Sequence, residues 1–173
     1  MLPALRISFA AESDIPAMAA LVNRAYRGEA SRQGWTTEAD LLDGPRTDEA
    51  DLRQLSAAPG ATFLLARTAA GELVGSVYTK PEAPDLYVGM LSVDPTRQAA
   101  GIGRQLLAAA EAQARQAGFT DVLMSVISVR AELIAWYERL GFQRTGEVQP
   151  FPLHASPSIP KQPLELLLLR KMV

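Results

Sequence analysis

The pattern of hydrophobic and polar positions divides the chain into alternating strands and helices. Alternation with a period of two predicts strands, whereas apolar residues spaced three and four apart predict helices. Strands are predicted over 5–10, 61–68, 73–79, 86–93, 121–127, 142–148 and 164–171. Helices are predicted over 14–25, 102–117 and 128–140, with shorter helical pieces over 37–43 and 48–57. This order predicts a single α/β domain over residues 1–173 with a mixed sheet.

The connection between the strands at 86–93 and 121–127 is long enough to hold a complete helix. A strand–helix–strand unit of this kind crosses over with a right hand, so its two strands run parallel. The strands at 61–68 and 73–79 are instead joined by a short turn at Gly71, which is typical of an antiparallel hairpin. The sheet should therefore contain both strand orientations.

A glycine loop precedes the helix at 102–117 and reads Gln98-Ala99-Ala100-Gly101-Ile102-Gly103-Arg104. The first N–H groups of a helix lack intrahelical partners, and glycines let a phosphate approach them closely. The loop therefore predicts an anion site that suits a pyrophosphate. Two glycines also serve as ordinary helix punctuation, and that alternative stays open. Neither the third spaced glycine of a dinucleotide fold nor the Gly-Lys-Ser/Thr of a Walker loop is present.

Composition and charge exclude several classes of function. The chain has 48% hydrophobic residues, no cysteine and one histidine. Disulfides, thiolate metal sites, a cysteine nucleophile and histidine-based metal clusters are thereby excluded, and no metal is expected. The net charge of -2 comes with interspersed signs, so neither nucleic acid nor a membrane is an expected partner. The N-terminus lacks a signal-like apolar segment, which leads us to expect a cytoplasmic protein.

Two motifs resemble the GCN5-related N-acetyltransferase (GNAT) superfamily. The first runs from Val93-Asp94-Pro95 into the glycine loop, which fits the family signature Gln/Arg-x-x-Gly-x-Gly/Ala. The second is Trp136-Tyr137-Glu138-Arg139-Leu140-Gly141-Phe142. The resemblance implies a mostly antiparallel sheet, flanked by helices, whose central parallel strand pair splays apart to admit the pantetheine of acetyl-CoA.

The resemblance also implies roles for individual residues. The backbone N–H of Leu91 would bond the thioester oxygen and Val93 would bond pantetheine. The remaining cofactor contacts would be Gln98, Ala99, Ala100, Gly101, Ile102, Gly103, Arg104 and Arg130. Arg130 stands where the family often has asparagine. Tyr87 stands where some members have a glutamate base, so no general base is implied.

Tyr137 is the candidate general acid. A phenol with an ordinary pKa near ~10 is protonated at neutral pH and can donate to the departing CoA thiolate. The alternative is that Tyr137 is only a core aromatic beside Trp136. The candidate bases are His154, whose ordinary pKa is near ~6.5, and a water relayed by Tyr87 or Glu147.

The acceptor amine is expected between the polar segment 27–48 and the proline-rich connection 149–163. Carboxylates crowd the first segment at Glu29, Glu38, Asp40 and Asp43, although most of them could form a solvated acidic face. Prolines would hold Phe151, Pro152 and His154 as a preformed rim facing Trp35. The connection could also simply cover the edge of the sheet. The predicted acceptor residues are Trp35, Glu38, Tyr87, Phe151 and His154.

The sequence therefore predicts an N-acetyltransferase that moves the acetyl group of acetyl-CoA to a small-molecule primary amine by direct attack in a ternary complex. One alternative is a catalytically silent CoA-binding sensor or interaction module. Another is an acetyltransferase of protein lysines or N-termini. Whether the protein forms a homodimer stays open.

Overall fold

The computed structural model describes residues 4–152 and 157–173. The strands are β1 (Arg6–Phe9), β2 (Leu42–Asp43), β3 (Thr62–Arg67), β4 (Leu73–Glu82), β5 (Asp85–Val93), β6 (Asp121–Ile127), β7 (Gln143–Pro150), β8 (Ile159–Pro160) and β9 (Glu165–Met172). The helices are α1 (Ile15–Tyr26), α2 (Gly28–Ser31), α3 (Glu49–Ser56), α4 (Ile102–Ala117) and α5 (Ala131–Arg139).

Seven strands form one mixed sheet in the order β1-β3-β4-β5-β6-β9-β7. Every neighbouring pair is antiparallel except β5 and β6, which run parallel. The pairing of β5 with β6 extends only over Leu86 with Val122 and Tyr87 with Leu123. The two strands separate beyond this point, so the structure confirms the predicted mixed sheet with a central splayed parallel pair.

A bulge in β5 lies at the start of this gap. The register between β4 and β5 shifts between Ser76, which pairs with Ser92, and Tyr78, which pairs with Gly89. Met90 and Leu91 fall inside the shift, and Met90 has a φ of 51°. Because pairing with β6 has already ended, Leu91 has no partner residue in either neighbouring strand.

Helices cover both faces of the sheet. Alternate residues of β3 belong to two different apolar clusters, because successive side chains of a strand point to opposite faces. Leu64 and Ala66 pack in the cluster that contains α4 and α5 residues, whereas Phe63 and Leu65 pack with α1 and α3. Gly118, with a φ of 82°, ends α4 at the predicted position.

Two local predictions were wrong. Residues 37–43 are not a helix, because Leu42 and Asp43 form β2 and pair with β8 from the proline-rich connection. Helix α5 begins at Ala131 rather than at residue 128. Ile134 and Tyr137 are buried in α5, and Leu133 and Trp136 are partly buried at the edge of the core.

Candidate active site

A cavity of about 590 Å³ occupies the gap beside the β5 bulge. This first cavity adjoins a second, smaller one. The first cavity is lined by Leu91, Val93, residues 98–104 and Arg130, which are all ten predicted cofactor residues, together with Ala25, Tyr26, Trp35, Thr36, Leu133, Trp136 and Tyr137. The structure thus brings together every residue that the glycine loop and the resemblance assigned to the cofactor.

The glycine loop closes one end of the first cavity. Gly101 adopts a φ of 81° immediately before α4 begins at Ile102. This left-handed turn lets the loop run directly into the helix, whose first amides are free to bind an anion. A Cβ added at Gly103 would lie 3.3 Å from the Trp136 indole, so the loop leaves little space for a side chain there. The geometry suits a pyrophosphate bound to backbone amides.

Trp35 lies in the wall of the first cavity, apart from the other predicted acceptor residues. Its ring centroid is 6.0 Å from that of Trp136. Its backbone N–H donates to Oε1 of Gln98 over 3.1 Å. These contacts join the segment after α2 to the glycine loop, so Trp35 borders the site expected for acetyl-CoA.

A second cavity of about 250 Å³ adjoins the first. Among its lining residues are the predicted acceptor residues Glu38, Tyr87 and Phe151, and also Pro152. The two cavities share Tyr26, Leu91, Arg130, Leu133 and Tyr137. The residues predicted to do chemistry, Leu91 and Tyr137, therefore stand where the two spaces meet.

Tyr137 is buried and packs between two aromatic rings. Its ring centroid lies 5.0 Å from that of Trp136 and 5.8 Å from that of Phe142. Burial raises the pKa of Tyr137, so the phenol keeps its proton well beyond neutral pH. Its placement combines both interpretations of the sequence, because the ring packs in the core while the residue lines both cavities.

A buried ion cluster borders the second cavity. The Glu38 carboxylate accepts hydrogen bonds from Arg27 and from Nη1 of Arg130, the latter over 3.0 Å. Nη2 of Arg130 also donates to Oγ1 of Thr36 over 2.7 Å. Burial lowers the pKa of Arg27, while the adjacent Glu38 carboxylate opposes this effect. Arg130 therefore lines both cavities, and its two terminal nitrogens donate to the segment after α2.

The sequence did not single out Tyr26, Arg27 or Asp51, which all line the second cavity. The Tyr26 hydroxyl donates to the carbonyl oxygen of Leu91 over 2.6 Å and so fixes the bulge. Burial raises the pKa of Tyr26, which keeps this donor protonated. Asp51 accepts a hydrogen bond from Oγ1 of Thr47 over 2.6 Å. The only sequence signal was position, since Tyr26 and Arg27 directly follow one predicted helix and Asp51 lies near the start of another.

The other carboxylates and bases that the sequence suggested do not line the two cavities in the described part of the chain. Glu29 and Asp40 are paired with Arg32 at the surface, and Asp43 lies near Lys161. Glu147 is exposed on β7 and accepts a hydrogen bond from Gln149. His154 lies outside the described residues. Over residues 4–152 and 157–173, no group of three or more potential ligands could hold a metal, and no helix is long and apolar enough to cross a membrane.

Comparison with known proteins finds relatives that are similar to this chain in sequence. The chain is 37% identical to a mycothiol acetyltransferase of Salinispora tropica over 137 residues, which cover 70% of this chain and 44% of that protein. It is 25% identical over 119 residues to N-acetyltransferase family 8 member 3 of Mus musculus, covering 65% of this chain and 53% of the relative. The chain thus spans less than half the length of the mycothiol acetyltransferases that it matches.

Solved structures agree in fold. The ribosomal-protein-S18-alanine N-acetyltransferase of Escherichia coli superposes with a TM-score of 0.73 at 17% identity, covering 98% of this chain and 94% of that one. A phosphinothricin acetyltransferase of Sinorhizobium meliloti in complex with AcCoA gives a TM-score of 0.70 at 16% identity, covering 98% and 88%. Residues 18–142 match the acetyltransferase (GNAT) family. With its splayed sheet and its glycine loop at the mouth of the gap, the chain belongs to the GNAT acetyltransferase family.

Proposed function

We propose that residues 1–173 form one acyltransferase domain that transfers the acetyl group of acetyl-CoA to a small-molecule primary amine. The observation that carries this proposal is that two adjoining cavities share Leu91 and Tyr137. The first cavity is lined by the glycine loop, which would hold the pyrophosphate of the donor. The second cavity is lined by the same two residues, so an acceptor bound there would lie next to the donor, as direct attack in a ternary complex requires.

The acetyl-CoA pyrophosphate would accept hydrogen bonds from the first backbone amides of α4, and pantetheine would run along Val93. The thioester carbonyl would then reach the β5 bulge, where Leu91 has no partner residue in β4 or β6 and its N–H would donate to the carbonyl oxygen. The Tyr26 hydroxyl bonded to the Leu91 carbonyl helps to hold this peptide in place. A donor fixed in advance stabilises the developing oxyanion without reorganisation.

The reaction begins with attack of a neutral amine nitrogen on the thioester carbonyl carbon. The new N–C bond forms a tetrahedral intermediate whose oxyanion accepts a hydrogen bond from Leu91. When the C–S bond breaks, the Tyr137 hydroxyl gives its proton to the departing sulfur. The proton released by the amine leaves through water in the second cavity, and tyrosinate is reprotonated from solvent. The products are an N-acetyl amide and CoA.

The second cavity favours a small acceptor over a protein chain. Its volume of about 250 Å³ is slightly below the ~300–1,000 Å³ usual for ligand pockets. Several relatives at 33–39% identity are named mycothiol acetyltransferase, which also favours a small molecule. Structural neighbours at 17% and 21% identity are named for ribosomal-protein alanine, so a protein N-terminus is the second candidate.

Release of free thiol from acetyl-CoA tests the proposal. We expect release to depend on an added amine, and mass spectrometry to find the acetyl group on that amine. A silent CoA-binding module would be stabilised by acetyl-CoA yet release no thiol with any amine. Peptides with free N-terminal alanine, run beside the small amines, would identify a protein acetyltransferase if they were the better substrates.

A further inference from the structure

The buried cluster of Arg27, Glu38 and Arg130 carries an uncompensated charge. The three residues are only 8%, 5% and 5% exposed, and they contribute two positive charges and one negative charge. Arg27 and Arg130 each donate to Glu38, and Nη2 of Arg27 also donates to Oγ of Ser158 over 2.7 Å. Arg27, Glu38, Arg130 and Ser158 all line the second cavity, and one positive charge remains unmatched among them.

Two nitrogens of this cluster also lack partners. Nε of Arg27 and Nε of Arg130 are buried and donate to no hydrogen-bond acceptor among the described residues. A buried guanidinium donor without a partner destabilises the fold, because it has lost its hydrogen bonds to water. A buried net charge costs further free energy unless an opposite charge approaches. A bound anion would therefore stabilise this cluster, because it would accept hydrogen bonds from the unpaired donors and offset the net positive charge.

The other charges around the second cavity do not supply that anion. Arg46 and Asp51 also line it, and their charges offset each other. The full set of ionised side chains is then Arg27, Arg46 and Arg130 against Glu38 and Asp51, which leaves a charge of one positive unit. The apolar remainder of the wall includes Leu55, Val88, Met124, Val126 and Phe151, so the excess charge is poorly screened.

We infer that the second cavity binds an amine that carries a carboxylate, with the carboxylate held at Arg27 and Arg130 and the amine turned toward Leu91 and Tyr137. This inference rests on the proposed function and narrows its acceptor to amino carboxylates. A single carboxylate matches the unmatched charge, whereas a phosphate would bring up to two negative charges. The planar guanidinium also suits a planar carboxylate.

Matched acceptors provide the test. The α-amino acids, β-alanine and γ-aminobutyrate are each compared with their primary amides, which keep the amine and remove the charge. We expect kcat/KM to be at least tenfold higher for the best acid than for its amide, mainly through KM. A tenfold ratio corresponds to about 1.4 kcal/mol. Equal kcat/KM for acids and amides would overturn the inference while leaving the proposed function intact.

Variants test whether Arg27 causes the difference in kcat/KM between acids and amides. Arg27→Gln should bring the acid-to-amide ratio toward one, whereas Arg53→Gln, which removes an exposed guanidinium, should leave it unchanged. If Arg27→Gln does not fold, Ser158→Ala removes one hydrogen bond that orients Arg27 and should lower the ratio by a smaller factor. A ratio unaffected by a folded Arg27→Gln or Ser158→Ala variant would contradict the assignment.

Binding of the acids and amides tests the inference even if no amine leads to release of free thiol from acetyl-CoA. The same acids and amides are titrated into the CoA-saturated protein while its melting temperature is followed. Stabilisation by an acid and not by its amide would support the carboxylate site although the proposed transfer had failed. Stabilisation by neither, or by both equally, would overturn it.

Discussion

Tyr137 combines an observed packing role with its proposed chemical role as general acid. Its ring contacts Trp136 and Phe142 within the core, and its residue borders both cavities. The sequence could find it because the aromatic pair and the following Gly141-Phe142 form a local motif. Arg27 and Glu38 could not be paired in advance with Arg130, because Arg130 is far along the chain and nothing in the local sequence links them.

Removing the Tyr137 hydroxyl should separate these two roles. Tyr137→Phe keeps the ring, so folding and the Kd for acetyl-CoA should stay unchanged. Turnover should fall by about 10²–10⁴, the usual contribution of a positioned general acid. Steady-state kinetics with calorimetric measurement of CoA binding checks this. A folded variant that turns over at the wild-type rate, with chemistry limiting, would make Tyr137 purely structural.

The raised pKa of Tyr137 also predicts how stability depends on pH. An unfolded tyrosine ionises near pH ~10, whereas burial keeps the folded phenol protonated to higher pH. The folded state then holds more protons, so its stabilisation is complete below about pH 10 and is lost as pH rises beyond it. Urea unfolding of wild type and Tyr137→Phe from about pH 9 to about pH 11 should give a shallower decline for the variant. Parallel declines would show that Tyr137 adds nothing to the pH dependence.

At the scale of elements, the local pattern predicted most helices and strands but not β2. Strand β6 covers Asp121–Ile127 as predicted, because its alternation is local. Residues 37–43 look helical alone, yet Leu42 and Asp43 pair with Pro160 and Ile159 from the distant proline-rich connection. Tertiary pairing overrides local propensity there. The same pairing brings the connection to the second cavity, where Phe151 and Pro152 lie.

The two segments around the cavities should affect different ligands. Trp35→Ala removes an indole from the wall of the first cavity, so the Kd for acetyl-CoA should rise about tenfold, or about 1.4 kcal/mol. Phe151→Ala acts on the second cavity and should raise the acceptor KM instead. Fluorescence titration with CoA and acceptor kinetics on both variants measure the contrast. If Trp35→Ala raised only the acceptor KM, Trp35 would belong to the acceptor site as its sequence position first suggested.

At the scale of the whole molecule, the site depends on where two strands stop pairing. Beyond Tyr87 and Leu123 the parallel strands separate, and the first cavity fills the space between the bulge and α5. The crossover that makes these strands parallel could be predicted from the length of the connection. The second cavity could not, because its wall combines α1, α3, β5, β6 and the proline-rich connection. A donor bound in the gap would join both halves of the sheet, so its binding should be visible in global stability.

Acetyl-CoA should therefore stabilise the folded protein, because it binds no equivalent site in the unfolded chain. At a hundredfold excess over Kd the gain is ~2.7 kcal/mol, which corresponds to roughly 5–11 °C in melting temperature for a chain of this size. Gly103→Asp should abolish the shift, because the carboxylate would stand where phosphate must approach the amides. The first turn of α4 has no acidic residue, and an acidic side chain there favours the helix, so the charge itself should not unfold the variant.

Gly103→Asn is the matched control, since it has nearly the same size and crowds Trp136 to the same degree without the negative charge. If charge repels the phosphate, the melting shift with acetyl-CoA should be smaller in Gly103→Asp than in Gly103→Asn at every ligand concentration. The difference should also shrink as salt is added, because ions screen the repulsion at this exposed end of the cavity. Equal shifts in both variants would assign the effect to crowding alone, and an undiminished shift in Gly103→Asp would remove the pyrophosphate from the glycine loop.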